Sequence, residues 1–173
     1  NPDICIPEFK KKVLKETPWG IMTYLNYKKK IEFNRKQYDE LNKYCRKIGI
    51  DWFASCWDLD SFEFIKKYKL KYHKVASAML TNLSLIKTIA KERKLTFIST
   101  GMGTFKDIDL AIKIFKKEKC KFVIMHSVAK YPCPEEDLNL NLIQILKKKL
   151  GQHSAVHMIN QFAILRLNHL QRS

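Results

Sequence analysis

At 173 residues, the chain is long enough for one domain with a proper core and too short for two full ones. Its 46% hydrophobic and 12% aromatic content, with only five glycines and five prolines, excludes a disordered tail, and no apolar run approaches the roughly 20 residues of a membrane span. The net charge of +16, from 33 Lys+Arg against 17 Asp+Glu, raises nucleic acid or an anionic membrane surface as a partner, but the lysines are spread over helical segments and no nucleic-acid-binding signature is readable, which favours solvated helix faces.

Residues 1–34 have weak periodicity, and Thr17-Pro-Trp-Gly20 reads as a turn. Lys36–Lys47 forms an amphipathic helix ended by Gly49. From residue 51 two textures alternate. Short apolar runs at Asp51–Trp57, Tyr72–Ala78, Thr96–Thr100 and Phe122–Ser127 predict strands. Each is followed by a helical pattern, at Ser61–Tyr68, Asn82–Arg93, Thr104–Lys117 and Asp137–Leu150. In the third helix Ile108, Ala111, Ile112 and Phe115 line one face, and Lys106, Lys113, Lys116 and Lys117 fall on the other. Ser61, Thr81-Asn82 and Thr104 stand where helix caps belong. Strand-helix units at this spacing require parallel pairing, so the fold class is α/β.

In such sheets the ligand site lies at the carboxyl ends of the strands. Four strand ends carry polar groups: Ser55-Cys56, Lys74 with Ser77, Ser99-Thr100, and His126-Ser127. Hydroxyls, a lysine and amides near helix starts suit a phosphate or carboxylate. Taken singly, each has a plainer explanation. Ser99-Thr100-Gly101 is an ordinary strand-to-helix turn, Lys74 pairs with a carboxylate or snorkels to the surface, and His126 is a hydrogen-bonded core histidine. Their recurrence at equivalent places in consecutive units supports one shared rim.

Cys5, Cys45, Cys56, Cys120 and Cys133 are odd in number and have no C-x-x-C spacing. They support neither a disulfide framework nor a zinc knuckle, and a reducing cytoplasm is the expected location. No signal-peptide pattern is seen, and the start, Asn-Pro-Asp without Met, suggests a processed chain or a piece of a longer one.

Several stretches in this order and spacing resemble a known family: Thr17-Pro-Trp-Gly-Ile-Met-Thr-Tyr24 followed by Tyr27-Lys28 and Glu32-Phe33; Trp52-Phe-Ala-Ser-Cys-Trp-Asp58; Lys74-Val-Ala-Ser77; Ser99-Thr-Gly-Met102; and Tyr131-Pro-Cys-Pro134 with Asp137-Leu-Asn139. Over residues 8 to about 150 the chain resembles the sialic acid synthases (N-acetylneuraminate synthases) and their relatives for pseudaminic and legionaminic acids. The resemblance implies a TIM-type (β/α)₈ barrel that condenses phosphoenolpyruvate with an N-acetylated amino sugar, giving a nine-carbon 2-keto sugar acid and phosphate. It also implies Mn²⁺ or Mg²⁺ as cofactor, acting as a Lewis acid on the sugar aldehyde. Carried over by motif, Lys74, Ser77 and Ser99 would hold phosphoenolpyruvate with Ser55 and Thr100 at the same rim, and Tyr131 and His126 would face the sugar. No catalytic residue is assigned.

The chain departs from the family pattern at Cys56, where a threonine is frequent; at Met79, where many members have a glutamate; and at Ser127-Val-Ala129, where a polar sugar contact is lost. The family's first strands, and its two metal-binding histidines, have no matched counterpart. His153 and His157 have the i, i+4 spacing that would put two imidazoles on one side of a helix, yet no nearby carboxylate completes a metal set, and a surface pair is the simpler reading. The expected organisation is therefore a partial barrel of about four βα units with an N-terminal helical segment over residues 1–150. A divergent, helix-patterned tail follows over residues 151–173. An open half barrel exposes sheet edges, from which marginal stability of the monomer, or self-association that covers those edges, is expected. Two alternative functions stand beside a weakly active or inactive synthase: a catalytically silent binding protein that keeps the anion rim, and, less favoured, a nucleic-acid binder.

Overall fold

The computed structural model describes residues 1–130 and 132–150, and the backbone of His157–Met158. The chain divides into two compact units. One comprises residues 1–52 and 57–70, the other residues 53–56 and 71–173.

The first unit holds two short helices, α1 (Pro2–Cys5) and α2 (Glu8–Lys11), then a hairpin of β1 (Leu14–Thr17) and β2 (Gly20–Thr23), then α3 (Tyr24–Ile31), α4 (Arg35–Ile48) and α5 (Leu59–Lys66). The hairpin pairs Leu14 with Thr23 and Thr17 with Gly20. The turn at residues 17–20 was legible from sequence, whereas the flanking strands were not, because neither alternates apolar and polar residues. Helix α4 starts on an Asn34–Gln37 capping box and stops at Gly49, whose φ of 72° supplies the left-handed terminus that a side chain resists. Tyr38, Trp52, Phe64 and Tyr68 form an aromatic cluster with ring centroids 5.4–6.2 Å apart, and Phe62 and Ile65 of α5 are buried. Asp58, not Ser61, caps α5: its Oδ1 accepts from the Ser61 amide at 2.7 Å.

The second unit is a parallel sheet with its crossover helices. In order come β3 (His73–Val75), α6 (Leu83–Lys91), β4 (Thr96–Ser99), α7 (Phe105–Lys117), β5 (Phe122–His126), α8 (Asn141–Leu150) and β6 (His157–Met158). The strands lie in the order β3-β4-β5-β6, all parallel. This is the expected α/β architecture, part of a TIM-type barrel. Register aligns Val75 with Ile98 and Ile98 with Ile124; all three are fully buried, as a row facing the helix layer must be. Opposite them, Leu85, Ile86 and Ile89 of α6 and Ile108, Ala111, Ile112 and Phe115 of α7 supply the buried helix faces. The α7 face is the one that its apolar spacing predicted.

Several elements differ from the sequence expectation by more than a frayed end. The strand expected over Asp51–Trp57 is reduced to an isolated bridge between Ser55 and Lys74, since this edge segment has a single pairing partner and the chain turns at Asp58 into α5. The strand expected over Tyr72–Ala78 ends at Val75 and tightens into a 3₁₀ turn, Ser77–Met79. The helix expected from Asp137 starts at Asn141. A 3₁₀ turn at Glu135–Asp137 precedes it, and Asn139, at φ 46°, breaks the continuity. In the tail, His157–Met158 is strand and not helix, paired to Met125 and His126. That removes the helical geometry on which a His153/His157 pair depended; His153 and the other residues of the tail lie outside the described residues.

Candidate functional site

Alternation along a strand separates the two faces of the sheet. Val75, Ile98 and Ile124 face the helices, so Lys74, Phe97 and Val123, which are in register with one another, face the other way. Ser55 joins Lys74 on that inner face through the bridge. Two residues on from Phe97 and Val123, Ser99 and Met125 continue it toward the carboxyl ends. The inner face is therefore graded. Phe53, Tyr72 and Phe97 touch as an aromatic group, with centroids 5.6 and 5.8 Å apart, and the polar residues Ser55, Lys74 and Ser99 lie beyond it.

Lys74 Nζ donates to Ser99 Oγ at 2.9 Å. The ammonium is half-buried, and burial lowers its pKa from the ordinary 10.5. No carboxylate among the described residues pairs with it. A desolvated cation whose partner is one neutral hydroxyl lacks a counter-charge.

A second cluster adjoins the first along the chain. The Gly101 amide donates to Ser77 Oγ at 3.1 Å and to Ser127 Oγ at 3.0 Å, and the two hydroxyl oxygens are 3.1 Å apart. A β-carbon on residue 101 would lie 2.6 Å from the Ser127 carbonyl oxygen, so glycine is what lets the ends of β4 and β5 approach so closely.

Of the residues expected at the rim, Lys74 and Ser99 are joined by a hydrogen bond and Ser55 is bridged to Lys74, while Ser77 belongs to the second cluster with Gly101 and Ser127. Thr100 and His126 do not join them. Each is one residue out of phase with the inner face, is buried, and is committed to a backbone carbonyl: Thr100 Oγ1 donates to Met125 at 3.2 Å, and His126 Nε2 donates to Leu138 at 2.8 Å. Both line a cavity of about 270 Å³ together with Gly101 and Ser127 of the second cluster, with Ile108 and Leu146 among its apolar walls. Tyr131 lies outside the described residues. Ser127 was read from sequence as a polar group at its strand end beside His126, but it was given no place among the site residues. Its place one residue past β5, level with the glycine after β4, was the available signal.

The family model described as the NeuB family matches residues 2–156. Over 155 residues the chain is 30% identical to the N-acetylneuraminate-9-phosphate synthase of Drosophila melanogaster, a match that covers 85% of this chain and 41% of that protein. It is 30% identical over 142 residues to the N,N'-diacetyllegionaminic acid synthase of Campylobacter jejuni, covering 77% of this chain and 42% of that one. Among solved structures, the N-acetylneuraminic acid (sialic acid) synthetase of Leptospira borgpetersenii in complex with citrate superposes with a TM-score of 0.72. Identity there is 31%, over 76% of this chain and 46% of that chain. The chain thus spans less than half the length of each of these relatives.

Proposed function

The chain belongs to the NeuB family, and we propose that its strand-end rim binds phosphoenolpyruvate as part of a synthase that joins phosphoenolpyruvate to an N-acetylated amino sugar. The product is a nine-carbon 2-keto sugar acid. The observation that carries this reading is Lys74, a half-buried ammonium with a serine hydroxyl as partner and no carboxylate among the described residues. An anionic ligand supplies the missing charge and turns a desolvation cost into a charge-assisted hydrogen bond. Lys74 and Ser99 hold one anionic group of phosphoenolpyruvate, Ser77 a further oxygen, and Ser55 flanks Lys74. The names of the relatives, synthases of sialic and legionaminic acids, support a synthase of this kind. The part that falls to these residues is binding and orientation, which supplies rate by placing the reacting carbon.

The family resemblance implies Mn²⁺ or Mg²⁺ as cofactor. Among the described residues no group of three or more His, Cys, Asp or Glu side chains converges to hold a metal ion.

Isothermal titration of phosphoenolpyruvate into the chain tests the reading. Saturable binding is expected, weakened by about 10-fold or more in Lys74→Met, since a hydrogen bond to a charged group contributes about 1.5–3 kcal/mol. Wild-type chain that takes up no phosphoenolpyruvate overturns it. A parallel assay for phosphate release with N-acetylmannosamine and Mn²⁺ separates turnover from binding alone.

A further inference from the structure

We infer that Ser127 is a positioning residue that orients the Ser77 hydroxyl toward the anion; this rests on the phosphoenolpyruvate reading of the same rim. The argument is a count of protons. Ser77 and Ser127 place their oxygens 3.1 Å apart, and both accept from the one Gly101 amide, at 3.1 and 3.0 Å. The pair holds two hydroxyl protons. One lies between the two oxygens, and the other remains for a ligand. When Ser127 donates to Ser77, the remaining proton belongs to Ser77, and the hydrogen bond arriving at Ser77 polarises its O–H, so that it donates more strongly. With Ser127 removed, the Ser77 hydroxyl rotor loses a partner that fixes it, while its oxygen keeps the Gly101 amide.

The arrangement is built into the backbone. The absence of a side chain at Gly101 brings the end of β5 within reach, since a β-carbon there would sit 2.9 Å from Ser127 Oγ as well as 2.6 Å from the Ser127 carbonyl oxygen. Ser77 is carried by the 3₁₀ turn that ends β3. Three consecutive units of the sheet therefore meet at one hydroxyl pair.

A double-mutant cycle tests the role, using phosphoenolpyruvate affinity measured by titration calorimetry on the whole chain. Ser127→Ala is expected to weaken binding about three- to tenfold, the usual range for one neutral hydrogen bond. In the Ser77→Ala background the same change should have no further effect, because Ser127 acts through Ser77. Ser127→Thr, which keeps the hydroxyl, should restore affinity, and thermal melts report whether each variant is folded. Wild-type-like affinity in Ser127→Ala, or a loss that simply adds to that of Ser77→Ala, overturns the positioning role and leaves the phosphoenolpyruvate reading intact. Failure of the wild-type chain to bind overturns that reading, and the role in binding with it. The Gly101 amide resonance then still reports whether the hydrogen-bonded trio exists without ligand, by its shift between wild type and Ser127→Ala.

Discussion

On the role proposed for Lys74, stability and ligand binding pull in opposite directions. Holding an ammonium half-buried beside a single hydroxyl is unfavourable in the free chain, so Lys74→Met is expected to leave the melting temperature unchanged or raise it while phosphoenolpyruvate affinity falls. A variant that loses both would mark Lys74 as a structural residue. The pH dependence follows from the lowered pKa. Between the folded value and the ordinary 10.5 the unfolded chain binds the extra proton, so the burial penalty is fully present below the folded pKa and is relieved as pH rises through this window. Affinity for the anion runs the other way, declining as pH rises through the folded Lys74 pKa, at a lower pH than an exposed lysine would give; titrations from neutral to alkaline pH read this directly. Gly101→Ala adds a β-carbon 2.6 Å from a backbone oxygen, and a loss of about 1–3 kcal/mol in denaturant melts is expected from the overpacking. Residue types at strand ends could be read from the linear pattern, which is why Lys74, Ser77 and Ser99 could be placed at or just past the ends of β3 and β4. Phase could not be read past the end of β4 or at the last residue of β5, and Thr100 and His126 fell on the helix side for that reason.

Elements were legible where caps and periodicity agree. Helix α7 begins at the Thr104 cap, which also forms a box with Asp107, and α6 begins at Asn82, whose side chain accepts from the Leu85 amide. The first βα connection shows where agreement fails. Ser61 is a good cap residue, but Asp58, three residues earlier, accepts both the Ser61 amide at 2.7 Å and the Ser61 hydroxyl at 2.9 Å, and also the Cys5 thiol at 3.1 Å and the Asn1 nitrogen at 2.9 Å. Burial acts to raise the Asp58 pKa; the donors outweigh it and hold the carboxyl down at about 2. A carboxylate that gathers four donors starts the helix one turn sooner than a lone hydroxyl would. Asp58→Ala is expected to cost about 1–2 kcal/mol. Because the folded pKa is depressed, this contribution is present above the ordinary 3.8 and fades as pH falls through about 2. Wild-type and variant melts should therefore converge toward pH 2, and a gap that persists there would assign the loss to packing.

At the scale of the whole chain, charge and apolar exposure compete. The net charge is +16, while Phe9, Ile21 and Leu14 of the first unit are 75%, 74% and 68% exposed. In the second unit the Ser55 bridge and β6 are the edges of the described sheet. Open edges and exposed apolar side chains favour association. Like charges oppose it at low ionic strength, where the Debye length is about 30 Å at 0.01 M and falls to about 8 Å at 0.15 M. Self-association should therefore strengthen as salt is raised, and sedimentation velocity at several ionic strengths measures it. Binding to RNA or DNA has the opposite sign, since displaced counterions make retention fall steeply with salt. Running both measurements on the same chain separates the two consequences of its charge. An assembly that dissociates as salt rises would show that ionic contacts, and not the sheet edges and apolar side chains, hold the copies together.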